Sequence, residues 1–109
     1  MHDSCSPTND PVKQGDTWLS TEVPKILASS VYKNNGALFI TWDEAATGDG
    51  PVGMIVLSPL AKGGGYNNAI HYTQSSTVRS VQEIFRVQPP FLRDAANATD
   101  LSDLVVTFP

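Results

Sequence analysis

Asp43 and Glu44 are adjacent carboxylates that follow the run Leu38-Phe39-Ile40-Thr41-Trp42, and they are the side chains best suited to chemistry in this chain. Paired carboxylates suit hard, oxygen-binding cations such as Ca²⁺, Mg²⁺ or Mn²⁺. Successive residues of a strand point to opposite faces, so both acids reach one ion only where the backbone turns. The small and Gly-rich residues after them, up to Gly50, make such a turn easy. The plainer alternative is that Asp43 caps a turn and Glu44 is solvated. His2-Asp3 is a second candidate, because a His beside a carboxylate can bind a metal or a phosphoryl oxygen while the acid fixes the imidazole tautomer. At the start of a chain the alternative is a pair of solvated residues.

Other polar features carry weaker signals. His71, between Ile70 and Tyr72, reads as a structural or exposed His rather than a ligand. Gly63-Gly64-Gly65 could present backbone N–H groups to an anion. No Gly-Lys-Ser/Thr follows as in a P-loop, so a plain loop is the simpler reading. Cys5 has no activating neighbourhood in sequence. Asn97-Ala98-Thr99 matches the glycosylation sequon, a triplet that also arises by chance.

The elements that must position these residues can be read from the apolar pattern. Residues 4–16 are polar and turn-rich, with Asp16 placed to cap a helix beginning after it. Leu19, Val23, Ile26, Leu27 and Val31 fall near helical spacing, and Pro24 among them predicts a short first turn and a helix opening at Pro24. Asn34-Asn35-Gly36 ends it, since Asn and Gly tolerate the left-handed conformation. Ala37–Trp42 and Val52–Leu57 are continuous apolar runs, the mark of strands buried on both faces between helices. The loop between them is short for a helical crossover, so parallel or antiparallel pairing stays open. A helix is predicted over Ser75–Phe85, capped near Ser75 or Ser76, with Val78, Val81, Ile84 and Phe85 on one face. A last helical turn is predicted around Leu101–Leu104. Two strands buried on both faces need neighbours, and the chain offers no further convincing candidates. It reads as one partial domain, residues 1–109.

Composition narrows the function. A formal charge of −4, with only 7 Lys and Arg, argues against nucleic acid, whose phosphates are bound by those side chains. A single Cys leaves no internal disulfide and no reading of the redox compartment. No stretch approaches the roughly 20 apolar residues of a membrane span. Met1–Ser6 lacks the basic and apolar regions of a secretory signal.

Four stretches together resemble the bacterial phosphoesterase family of acid phosphatases, phosphatidylinositol-3-phosphatase-like enzymes and phospholipases C. They are Gly15–Leu19, Leu38–Glu44, Val52–Pro59 and Asn97–Leu104, in the family's order, and Ile40-Thr41-Trp42-Asp43-Glu44 is the most specific. The match corresponds to the C-terminal third or so of a family member. It implies an α/β fold, the C-terminal portion of an alkaline-phosphatase-like three-layer sandwich with a central sheet flanked by helices. By the resemblance Asp43 and Glu44 are metal ligands. His2 and Asp3 are catalytic, as the end of an Asp-Met-His-Asp segment in which Met1 is internal. The implied cofactor is a divalent cation (Ca, Mg, Mn or Zn), and the implied substrate a small phosphate ester or a phospholipid headgroup. The nucleophile and remaining ligands belong to a preceding part of the same domain, and the family is often exported.

Three positions depart from the family pattern. Gln74 stands where the family has His, and an amide cannot titrate. Arg86 and Arg93 stand where Gly is expected, Arg86 at a position suited to a helix-ending Gly. The function expected is that of a fragment of a metal-dependent phosphate-ester hydrolase, a monoesterase or a phospholipase C-type diesterase. A non-catalytic remnant or small interaction module is the alternative from another class.

Overall fold

The computed structural model describes residues 10–45, 47–48 and 50–108. In chain order these form α1 (Pro11–Ala28), α2 (Ser30–Lys33), β1 (Leu38–Thr41), β2 (Met54–Leu57) and α3 (Gln74–Ile84), then 3-10 turns at Arg93–Asn97 and Ser102–Leu104. The chain therefore mixes helices with a two-stranded sheet.

Helix α1 begins well before the position expected from Asp16 and Pro24. The true cap is Asp10, whose carboxylate accepts from the N–H groups of Val12 and Lys13, both at 3.1 Å. Pro11 is at the first helical position, where its fixed φ helps and its missing N–H costs nothing. Pro24 lies inside the helix rather than opening it. Ser20, whose carbonyl loses its donor there, is exposed, so water can take the place of the missing N–H. Ser29 ends α1 and starts α2, its hydroxyl accepting from the Tyr32 N–H. The expected stop is found, with Asn35 left-handed at φ 62° and the Gly36 N–H returning to the Val31 carbonyl at 3.1 Å.

β1 and β2 pair antiparallel, Leu38 with Leu57 through Thr41 with Met54. This settles the direction that the sequence left open. The strands are not buried on both faces: Leu38, Phe39 and Ile40 are half-buried and Ile55 is 53% exposed. Neither outer edge of the pair is covered by a further strand among the described residues. Continuous apolar composition thus marks surface that this chain leaves partly open. Past β2, Leu60–Lys62 meets the C-terminal segment. The Lys62 N–H donates to the Leu104 carbonyl at 3.0 Å, and the Val106 N–H to the Leu60 carbonyl at 2.8 Å.

Helix α3 starts one residue before its expected position. Thr73 is its cap residue, and the Ser76 hydroxyl accepts from the Thr73 N–H at 3.0 Å. The buried side of the helix differs from the apolar pattern. Ser76 and Ser80 are its buried residues, whereas Val78, Val81 and Phe85 are exposed, Phe85 by 77%. Small side chains let the C-terminal segment approach closely, and buried hydroxyls are tolerated only when satisfied. Ser80 Oγ donates to the Ser76 carbonyl and accepts from the Leu101 N–H, each at 2.8 Å. Among the described residues the buried hydrophobic side chains are Ala95 and Leu101, both 2% exposed. Arg79 adds a second tie, donating to the Ala96 carbonyl at 3.0 Å, pairing with Glu83 and stacking on the Phe91 ring. Among the described residues many large apolar side chains are exposed, Val12, Val31 and Phe85 among them.

The end of α3 carries a Schellman motif. The Val87 N–H reaches the Gln82 carbonyl at 2.8 Å and the Arg86 N–H reaches the Glu83 carbonyl at 2.9 Å. Arg86 sits at the left-handed position of the motif with φ 54°, and Arg93 is also left-handed at φ 42°. A side chain in that region costs roughly 1–2 kcal/mol, which Gly avoids at the expense of a more flexible unfolded chain. Arg86→Gly is therefore expected to stabilise the chain by about 0.5–1 kcal/mol. A higher urea midpoint at unchanged slope is the readout, and a lower midpoint would contradict the motif.

Candidate functional site

An open groove of about 1020 Å³ runs beside the β1–β2 pair. Asp43, Glu44, Lys62, Tyr66, Asn68, His71 and Gln74 contribute to its lining. The two strands bring the acidic pair to it, because β1 ends at Thr41 and the backbone bends at Asp43 and Glu44. This is the bend that two neighbouring carboxylates need in order to face one ligand. Both acids are exposed. Thr41 anchors the approach by donating to the Gly53 carbonyl at 2.9 Å, and the Trp42 indole lies across Gly53, where any β-carbon would collide with the ring.

Gln74 gives the site a contact that its residue type did not announce. Its side-chain amide donates to the main-chain carbonyl of Asp43 at 3.2 Å, tying the acidic bend to the first turn of α3. A neutral amide performs this tether at any pH. His71 is exposed in the groove, in line with the sequence reading. His2, Asp3 and Cys5 lie outside the described residues.

Asp43 and Glu44 fit a hard divalent cation in kind, as accessible carboxylate oxygens on one bend. Among the described residues no group of three or more His, Cys, Asp or Glu is placed to hold one ion.

A second cluster, three of whose members line the groove while Asp103 stands behind them, was hidden in the sequence. The Asp103 carboxylate accepts from Lys62 Nζ at 3.0 Å, from the Tyr66 hydroxyl at 2.7 Å and from Asn68 Nδ2 at 2.6 Å. The Lys62 ammonium also lies 4.4 Å from the Tyr66 ring centroid. These partners bracket Gly63-Gly64-Gly65, of which Gly64 and Gly65 take left-handed backbone at φ 69° and 73°. The glycine run is therefore a turn held from outside. Its partners stand 35 to 41 residues from Asp103, so no local pattern could have revealed them.

Comparison of the chain with protein-family models, with curated proteins and with solved structures finds no match. No helix among the described residues is long and apolar enough to cross a membrane.

The Asp103 cluster has a pH signature. Hydrogen bonds from Tyr66, Asn68 and Lys62, in that order, lower its carboxyl from 3.8 to about 2, and the same contact with Asp103 raises the Lys62 ammonium. A carboxyl depressed by folding stabilises the fold in full above its unfolded value and ceases to do so as pH falls through its folded value. The contribution of Asp103 is thus expected to disappear between about pH 4 and about pH 2. Acid titration followed by the Tyr66 ring resonances is the check. A midpoint near 2 is expected, and one near 3.8 would mean that the carboxylate is not held.

Proposed function

We infer that this chain is the C-terminal part of a metal-dependent hydrolase of phosphate esters, of the acid phosphatase or phosphatidylinositol-3-phosphatase-like type. The observation that carries the reading is the placement of Asp43 and Glu44. Two accessible carboxylates stand at a strand end, on a bend, in an open groove beside the first turn of a helix. The left-handed backbone at Arg86 and Arg93 lends support, because the family resemblance calls for Gly at both positions. The open edges and half-exposed strands of the β1–β2 pair support a larger, three-layer α/β sandwich that continues beyond these residues.

In this reading Asp43 and Glu44 would hold a divalent cation together with ligands from the rest of the domain. When bound, the cation neutralises charge on the phosphoryl oxygens of the ester. Gln74 fixes the main chain at Asp43, so the acidic bend is already in place when a ligand arrives. The groove is open, and beside a largely apolar lining that includes Val52, Met54 and Ile70 it presents Lys62, Tyr66, Asn68 and Gln74, which suit the polar end of a phosphate ester, whether a small monoester or a phospholipid headgroup.

The exposed apolar side chains favour a second reading, a non-catalytic interaction module covered by another chain. The test starts from the reading frame upstream of the Met1 codon and uses the product it encodes. That protein is expected to hydrolyse phosphate monoesters or diesters, to lose the activity on chelation and to regain it with added divalent metal. Asp43→Asn and Glu44→Gln are expected to lower metal affinity or activity by about a hundredfold or more, since even outer-sphere losses reach that scale. Unchanged metal affinity and activity in both variants would overturn the assignment. An in-frame stop before Met1, with no hydrolysis by the chain, would leave the interaction module.

A further inference from the structure

The groove has one wall that no regular element supports. Between Lys62 and Asn68 the chain runs through three consecutive glycines, and a β-carbon built on any of them meets nothing within 4 Å. With no side chains to pack, such a segment resists its large backbone entropy only through external ties. Few are available. The Tyr66 N–H returns to the Gly63 carbonyl at 3.3 Å, and Asn67 donates to the Gly65 carbonyl at 3.3 Å, both within the loop. The strong ties all end on Asp103. One carboxylate takes an ammonium, a phenol and an amide from three points of the loop, and bonds to an ionised acceptor are about twice as strong as neutral ones.

The ties reach further into the groove. Asn68 also donates to the Tyr72 hydroxyl at 3.2 Å and accepts from the Ile70 N–H at 3.2 Å, so the geometry set at Asp103 passes along the chain toward Gln74. Asp103 itself is fixed from behind, two residues past the Leu101 N–H that Ser80 binds and one before the Leu104 carbonyl that the Lys62 N–H binds. We propose that Asp103 is a positioning residue of the groove: its carboxylate gathers Lys62, Tyr66 and Asn68 and thereby holds the glycine loop as a wall of the site that Asp43 and Glu44 also line. Its part in ligand binding rests on the phosphoesterase reading. The clasp itself does not.

The experiment has two arms. Amide hydrogen exchange of the full chain is compared for wild type, Asp103→Ala and Asp103→Asn, with Glu22→Ala as a control at an ion pair remote from the groove. Asp103→Ala is expected to speed exchange at Tyr66 and Ile70 by about tenfold or more, with α3 unchanged. Asp103→Asn, which keeps an acceptor and gives up the charge facing Lys62, is expected to fall between. Equal exchange in wild type and both variants overturns the proposal. Where Asp103→Ala exposes α3 as well, the Asn variant decides alone, with a local rise supporting the clasp and no local rise overturning it. The second arm measures monoester hydrolysis by the longer protein. The effect is expected in KM, as a rise of several-fold to about tenfold, because a displaced wall weakens substrate and transition state alike. A fall in kcat with KM unchanged overturns the positioning role. Wild-type protein inactive on every ester, with the exchange result intact, overturns the phosphoesterase reading and Asp103's part in ligand binding, leaving a structural brace.

Discussion

The C-terminal half of the molecule depends on the hydroxyl of Ser80. It sits at full burial between a carbonyl of its own helix and the N–H of Leu101, so its donor and its acceptor are both used. A hydroxyl buried without partners would cost a few kcal/mol; here it also satisfies the backbone donor of Leu101, a buried residue itself. That bond sets where the final segment crosses α3. Asp103 then reaches the glycine loop, and Leu60–Lys62 finds its backbone partners at Leu104 and Val106. A buried polar contact thus fixes the register that a larger apolar core would fix in a bigger domain.

The acidic bend is held by a separate and simpler device. β1 delivers it, the Trp42 ring resting on Gly53 limits how the loop can leave the strand, and one amide hydrogen bond from Gln74 joins it to α3. The groove accordingly has two differently supported parts. One is a bend anchored directly to the end of a strand and to a helix, and the other is a loop tied to a single carboxylate. Regular elements hold chemical groups with less play than loops do, so the acidic bend, anchored two residues past the end of β1 and tied to α3, is more tightly placed than the glycine loop.

Local physics made part of this legible from the residues alone. Asn34-Asn35-Gly36 announced a helix end, the apolar runs contained both strands, and α3 lies within a residue of its predicted bounds because its spacing and flanking breakers agree. Arg86 follows the predicted end of α3 at a position suited to Gly, and its backbone there is left-handed. Where signals competed, the sequence misled. Gly15 and Pro24 look like breakers, yet Asp10-Pro11 starts a helix that runs through both. Val78, Val81 and Phe85 look like a core face, yet Ser76 and Ser80 are the buried pair. The acidic bend was visible because Asp43 and Glu44 are neighbours in the chain, and the Asp103 cluster was not because its members are distant.

The uncovered apolar surface changes what stability means for this chain. Val12, Val31 and Phe85 are each more than three-quarters exposed, and α1 buries no side chain fully among its described residues. A surface that binds these side chains in the folded form, and has no affinity for the unfolded chain, draws the folding equilibrium toward itself by mass action. The folded fraction is then a function of that surface's concentration as well as of temperature. Folding and association become one coupled equilibrium, with the melting temperature an attribute of the assembly.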